Sequence, residues 1–187
     1  MCNRTMKNAL IASAMVIGLL GSAGASAAVD AFLKLDGIEG ESQDKDHRGE
    51  SNVLSWSWGE TSTVAGGAGG GGASGKTCIQ GMTIVKVVDS ASPKIIANGA
   101  TGRHVARAVL TVRKSGDALK PVAFLIITMR DVLVTAYSVG GVSGAELPME
   151  SVTLSFQGMD GEYRKQKPDG TFDGGIPWII GPGTGKC

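Results

Sequence analysis

The sequence contains few of the residues that metal sites and disulfide-rich folds require. Its 187 residues include three cysteines and two histidines. Beyond residue 27 only four of these remain: His47, His104, Cys78 and Cys187. A zinc site needs several such ligands close together, and a cysteine-stapled fold needs several bridges. We therefore expect no metal and no cofactor, and a hydrophobic core that holds the fold together without a disulfide framework.

A strong charge of either sign is also missing. The chain carries 18 basic and 17 acidic residues, a formal net charge of +1. This near-neutral balance, without a basic run, argues against nucleic acid as the main partner. The most apolar segment after the start of the chain, Val122 to Val134, is interrupted by Arg130 and Asp131. We therefore expect no membrane span in that part of the chain.

The first residues have the pattern of a secretory signal. Two basic residues precede an apolar run over 9–20 that is too short to span a membrane comfortably. Ala25-Ser26-Ala27 then fits the small-residue cleavage pattern. We predict a signal peptide over 1–27, which leaves one domain over 28–187 that makes no membrane contact once the signal is removed.

Alternating apolar and polar residues predict strands in the rest of the chain. In "VLSWSW", Leu54, Trp56 and Trp58 fall on one face, so both tryptophans are expected to be core or interface residues. In "VARAVLTVR", Arg107 and Arg113 alternate away from the apolar face.

The run over 122–138 is too long for one straight strand and predicts a bend or bulge near Arg130-Asp131. Only one helix is predicted, with Ser92 as its N-cap, Pro93 at its first position and Gly99 as its end. Several strands with one short helix predict a mainly β fold, a two-sheet β-barrel or sandwich.

The stretch from Gly59 to Lys76, "GETSTVAGGAGGGGASGK", is too rich in glycine to pack and predicts a mobile, extended loop. Long loops in compact domains are often functional. The stretch also matches a phosphate-binding loop, from Gly70 to Gly75-Lys76-Thr77. That motif requires a following helix, but β-branched residues follow here, so nucleotide binding is disfavoured.

The segment "GESQDKDHRGESNVLSWSWG" first suggests a calcium or catalytic site. Asp44, Asp46 and Gly49 fit three positions of a calcium loop. Arg48 and Ser55 stand where two further ligands are needed, so the pattern fails. His47 has no nucleophile motif beside it. We interpret the segment as a polar connector, and the lack of any convergent catalytic set predicts a protein that is not an enzyme.

Several segments together closely resemble the haemolysin-coregulated protein (Hcp) family of type VI secretion. They are the connector and tryptophan strand, the loop ending "GGGGASGK", "SASPKIIANGATGRHVARAVLTVRKSG", "FLIITMRDVLVTAYSVGG", "VTLSF" and "YRKQKPDGT". The resemblance covers nearly all of 28–175. It implies a barrel-like fold with one short helix and no catalysis.

The resemblance also implies that six copies form a ring and that rings stack into a secreted tube. The lumen would hold small effector proteins, and spike and sheath proteins would be partners. It implies that the extended loop over 59–76 contacts a neighbouring ring. Together with the strand pattern, this makes the following residues candidates for assembly contacts: Gly59, Glu60, Thr61, Gly70, Gly75, Lys76, Arg107 and Arg113. Solvated surface arginines are the alternative for the last two.

The signal peptide departs from the family pattern and leaves two hypotheses open. In the first, the chain is a tube or secreted-ring protein whose leader is uncleaved, bypassed or the product of a wrongly assigned start codon. In the second, it is an exported relative that acts as a periplasmic or extracellular binding or adhesion module. In an oxidising compartment Cys78 and Cys187 could pair, within one chain or between chains.

Overall fold

The computed structural model describes residues 29–63, 76–114, 122–141, 143–144 and 146–181. Within them lie ten strands and one helix: β1 (Val29–Leu35), β2 (Ser51–Ser57), β3 (Glu60–Thr63), β4 (Lys76–Ile79), β5 (Met82–Val87), α1 (Ser92–Thr101), β6 (Val105–Lys114), β7 (Val122–Gly140), β8 (Met149–Ser155), β9 (Gly158–Tyr163) and β10 (Ile176–Ile180). The predicted signal peptide lies outside these residues. No helix in the described ranges is long and apolar enough to cross a membrane.

The strands form a closed antiparallel barrel with an extension. Eight strands follow the order β10-β9-β7-β6-β1-β2-β5-β8, and a further pairing of β7 with β8 closes six of them into a barrel. Strands β9 and β10 extend the sheet from β7. Strands β3 and β4 form a separate two-stranded sheet. The predicted mainly β barrel with one short helix is confirmed.

Strand β7 pairs with a strand of the barrel and with a strand of its extension. Its first part, Leu125 to Arg130, pairs with β9, and its second part, Leu133 to Gly140, pairs with β8. Between them Asp131 has a φ of 52°, a left-handed backbone that is uncommon for a non-glycine residue. The backbone irregularity therefore lies at the Arg130-Asp131 position that the sequence indicated, where the strand changes partner.

Strand β2 departs from the predicted alternation. Its register with β5 shifts between Val53 and Ser55, which places a bulge at Leu54. Val53 is consequently buried and Leu54 is 57% exposed. The prediction that Leu54 shares the tryptophan face was wrong, because a bulge moves the following residues to the other face. Trp56 and Trp58 are half-buried and pack against the core.

Helix α1 begins and ends differently from the prediction. Ser92 is its first helical residue, not its cap, and its side chain is buried. The helix passes through Gly99 and ends at Thr101, and Gly102 caps it with a φ of 65°, the left-handed conformation that favours glycine. Gly99 instead lies close to β7: a Cβ there would lie 3.1 Å from a methyl carbon of Val134, a tight contact.

Candidate functional site

Strand β10 is the open edge of the eight-stranded sheet. It pairs with β9 on one side, and no other described strand pairs with its second side. Ile176 and Ile179 are 60% and 77% exposed on it, and Tyr163 on β9 is also exposed. An apolar edge with unpaired backbone groups is a surface that another chain can pair with or cover.

A tryptophan holds β10 in place. The indole of Trp178 lies against Gly161 of β9, where an added Cβ would come within 2.3 Å of the indole carbons. Only glycine permits this approach. Trp178 also stacks on Trp58, with ring centroids 6.1 Å apart and planes 20° apart. The strand therefore turns Trp178 toward the barrel and leaves Ile176 and Ile179 exposed, while Ile180 packs against the core.

Charged pairs border the apolar edge. Arg130 forms an ion pair with Asp160. Arg164 donates from Nε to Glu162 Oε1 at 2.5 Å. A shallow depression of about 300 Å³ lies beside these pairs and is lined in part by Trp178 and Ile179. An apolar centre with a charged rim has the composition of a protein–protein interface.

The extended loop begins and ends as a hairpin. Glu60 pairs with Ile79, and Thr61 pairs with Cys78. The prediction of a loop over all of 59–76 was wrong at its ends, because β-branched residues there form the strands β3 and β4. Gly59 precedes the hairpin and Lys76 opens β4. Gly70 and Gly75 lie outside the described residues.

The two candidate arginines occupy different environments. Arg107 is exposed, with Nη2 3.5 Å from Asp36 Oδ1. Arg113 is only 6% exposed and binds both carboxylate oxygens of Asp44. Its hydrogen bonds hold the pKa of Asp44 down to about 2. The surface alternative therefore fits Arg107 but not Arg113, which is buried within the described part of a single chain.

The polar connector covers the outside of the barrel at this point. The Arg113 guanidinium lies 4.7 Å from the centroid of Phe32. The His47 imidazole stacks on the same phenyl ring at 4.2 Å with planes 7° apart. His47 Nδ1 lies 3.0 Å from Glu50 Oε2. Because His47 is engaged in packing, the connector is a cover for Phe32 in this structure.

Neither histidine belongs to a metal centre among the described residues. His104 pairs with Asp131 at 2.6 Å on the surface. No group of three or more histidine, cysteine, aspartate or glutamate side chains in the described ranges could hold a metal ion.

A cluster of buried charged side chains around Lys86 was not predicted from the sequence. Lys86 Nζ lies 2.8 Å from Glu150 Oε1 and 2.5 Å from Asp89 Oδ1. The Ser92 hydroxyl donates to Glu150 Oε1 at 2.9 Å, and the Tyr137 hydroxyl donates to Glu150 Oε2 at 2.6 Å. Burial, aided by the Glu150 carboxylate, raises the pKa of Tyr137 to about 12.

The alternation of β5 contained a signal for this cluster. Met82, Ile84 and Lys86 share the inward face, so a lysine at that position required a buried carboxylate partner. One carboxylate partner, Asp89, lies only three residues away, whereas Glu150 is distant in sequence and could not be identified from spacing. Since Lys86 and Glu150 have almost no solvent exposure, their ion pair lies inside the barrel.

Comparison with known proteins gives one consistent result. Residues 32–163 match the family model described as type VI secretion system effector, Hcp. Protein hcp1 of Pseudomonas aeruginosa is 41% identical over 148 residues, which cover 79% of this chain and 91% of that protein.

Solved structures agree with these matches. A type six secretion system protein superposes with a TM-score of 0.76 at 27% identity, covering 82% of this chain and 96% of that one. Hcp1 from Salmonella typhimurium superposes with a TM-score of 0.68 at 33% identity, covering 85% of this chain and 98% of that one.

Proposed function

The chain belongs to the Hcp family of type VI secretion system effectors, and from this premise we propose that six copies of it close into a ring. The observation that supports the proposal is the open edge of β10 on a barrel that is otherwise closed. Covering that edge removes unpaired backbone groups and exposed isoleucines from water.

Ring closure requires the edge to meet a different surface of the next copy. If two β10 edges paired with each other, the result would be a closed dimer instead of a ring. Two further apolar side chains, Val29 and Leu54, are exposed on the adjacent strands β1 and β2, and we take them as the second patch. We propose that Ile176 and Ile179 of one copy contact Val29 and Leu54 of the next.

The proposed rings stack into a tube that carries small effectors in its lumen and works with spike and sheath proteins. The hairpin of β3 and β4 and the glycine-rich stretch that it bounds are proposed as the contact between rings. Gly59, Glu60, Thr61, Gly70, Gly75 and Lys76 remain candidates for that contact, and Arg107 remains one for the ring surface.

Light scattering on the full chain tests the ring. We expect a hexamer for the natural chain and monomers for Ile179→Lys and Leu54→Lys, because each variant places a charge in one side of the contact. Ile96→Lys is the matched control: Ile96 is an exposed isoleucine on α1 and belongs to neither patch. A strict monomer at high micromolar concentration would contradict the ring, and equal dissociation by all three variants would contradict the assigned surfaces.

Whether the predicted signal peptide is cleaved distinguishes a tube protein from an exported relative. The tube proposal expects an uncleaved or internally started protein, released only when the sheath is intact. Mass spectrometry of the protein from its native cell tests this. A species that begins at Ala28, recovered from the periplasm of a mutant without the sheath, would instead support a periplasmic or extracellular binding module.

A further inference from the structure

The hairpin of β3 and β4 is attached to the barrel through its root. Among the described strands, β3 and β4 pair only with each other, so no neighbouring strand sets their direction. Gly59 and Gln80 form the root, where the Gln80 backbone N–H donates to the Gly59 carbonyl at 3.1 Å. The contacts of this root therefore decide where the hairpin points.

The two arms of the root rest on different parts of the molecule. On the returning arm, Ile79 packs against the core, and a Cβ on Gly81 would lie 2.9 Å from the nearest atom of β8. On the outgoing arm, Trp58 comes directly before the root, and its indole stacks on Trp178 of β10. The barrel thus supports one arm, and the edge strand helps to support the other.

Packing sets the position of the Trp58 indole, because no hydrogen bond does. Its Nε1–H is buried, and no acceptor for it lies among the described residues. The Trp58 ring stacks on Trp178 at a centroid distance of 6.1 Å, and Trp178 in turn lies directly against Gly161 of β9. A shift of β10 relative to β9 therefore moves Trp178 and changes the packing on one side of Trp58.

A cavity gives the root room to move. Its volume is about 420 Å³, and its wall includes Gln80 and Gly81 of the root and Ile180 at the end of β10. Close-packed interiors resist displacement, whereas an open space of this size lets a neighbouring segment tilt without a clash. The hairpin is therefore able to change direction when the packing of Trp58 changes.

We infer that Trp58 and Trp178 are positioning residues that couple the edge strand β10 to the direction of the hairpin. The functional consequence rests on the proposed ring. When the next copy covers β10, the strand is held against β9, Trp178 stays on Trp58, and the hairpin is fixed in the direction used for stacking. Ring closure then precedes stacking. Because coupling between two contacts is reciprocal, a stacked hairpin also strengthens the ring contact.

A disulfide on β4 is reduced before the coupling is measured. Cys78 is disulfide-bonded, and Cys187, the pairing partner considered from the sequence, lies outside the described residues. Reduction removes this restraint from the hairpin, so that hydrogen exchange of its amides reports on the tryptophan packing. The Ile179→Lys background keeps the chain monomeric and excludes contacts from other copies.

Hydrogen exchange in β3 and β4 tests the coupling within a single chain. Trp58→Leu and Trp178→Leu should each raise the exchange rates of the hairpin amides by roughly tenfold, as local opening becomes easier. The double variant should raise them no further, because either substitution alone removes the shared contact. Trp56→Leu is the matched control: it removes the half-buried indole of β2 that is not stacked on Trp178, and it should leave the rates unchanged.

Three results would overturn the coupling. Unchanged exchange in both single variants would show that the stack does not hold the root. Additive effects of Trp58→Leu and Trp178→Leu, or an equal rise in Trp56→Leu, would show that each indole acts through its own burial. Hairpin amides that exchange at the unprotected rate before any tryptophan is replaced would show that nothing fixes the hairpin.

A comparison of rings with single chains separates this inference from the ring proposal. At a concentration where light scattering gives the mass of one ring and no stacks, hairpin exchange in the natural chain should be roughly tenfold slower than in Ile179→Lys. Trp58→Leu should form the same ring without this slowing. Equal slowing in Trp58→Leu rings would overturn the coupling. If the mass never exceeds that of one chain, the ring proposal fails, and the single-chain experiment still decides the coupling.

Discussion

The Lys86 cluster buries charged side chains, whereas strand β10 exposes apolar side chains to water. Lys86 and Glu150, which water would hydrate strongly, are 0% and 1% exposed, and each has partners within hydrogen-bond distance. Ile179, which water disfavours, is 77% exposed on a strand with an open side. The Lys86 cluster thus satisfies its charged groups within one chain, whereas the edge leaves apolar groups exposed to water. Stability and assembly should therefore respond to different substitutions.

The largest effect is expected from breaking the buried cluster. Lys86→Met leaves Glu150 and Asp89 buried without their cation, so the free energy of unfolding should fall by about 3–5 kcal/mol. Urea unfolding at one low protein concentration measures this loss. The double variant Lys86→Met/Glu150→Gln keeps the acceptor for Tyr137 but removes one uncompensated charge, and it should recover at least about 1 kcal/mol. A loss under about 1 kcal/mol for Lys86→Met would contradict the stabilising role expected of the cluster.

The second largest loss of stability is expected from replacing Arg113, with Arg107 as the comparison. Arg113→Leu removes the partner of Asp44 and the cation over Phe32, so unfolding free energy should fall by about 3 kcal/mol. Arg107→Leu is the matched control on the same strand, and its exposed pair should contribute no more than about 0.5 kcal/mol. Equal losses in the two variants would mean that the cover over Phe32 does not depend on the buried ion pair.

The contrast between these arginines shows how far the sequence could carry the structure. The alternation of apolar and polar residues predicted that both arginine side chains point away from the apolar face of β6, and this predicted direction is correct. Alternation within one strand does not reveal what covers the outer face. The cover comes from Asp44 and His47, which are distant in sequence and reach the strand only through folding.

The strand pattern and the family resemblance predicted the barrel, but local packing decided the details. The bulge at Leu54 depends on the neighbouring strand, and no signal in the local sequence marks it. Gly102 does mark the helix end, but Gly99 carries the same local signal, so the sequence alone did not distinguish the two. Strand β10 was not predicted, because "IPWII" begins with an isoleucine and a proline and shows no alternation. Proline is tolerated at edges, and that agrees with its position in the sheet.

A smaller effect should appear in the pH dependence of the outer cluster. Asp44 has its pKa lowered from 3.8 to about 2 by the hydrogen bonds from Arg113. The stabilisation is therefore complete above about pH 4 and is lost as the pH falls through about 2. Over this window the natural chain should lose about 1–2 kcal/mol more than Asp44→Asn. Parallel acid dependence of the two proteins in urea unfolding would refute the coupling.

The smallest effect on stability, and the largest on assembly, is expected at the edge. A ring stabilises the folded chain by mass action, so the urea midpoint of the natural chain should rise with protein concentration. Lys86→Met should have a lower midpoint but keep this dependence, because its edge is unchanged. Ile179→Lys should lose this concentration dependence. Its free energy of unfolding should stay within about 0.5 kcal/mol of the value that the natural chain has at low protein concentration.

These two variants separate folding from assembly only if the division between barrel and edge is real. If Ile179→Lys lowered the urea midpoint at every protein concentration, Ile179 would stabilise the fold of its own chain and would not act only in assembly. If Lys86→Met abolished the concentration dependence while the chain remained folded, the cluster would also shape the assembly surface. The expected pattern requires that Ile179 contacts nothing essential in its own chain, which agrees with its high exposure.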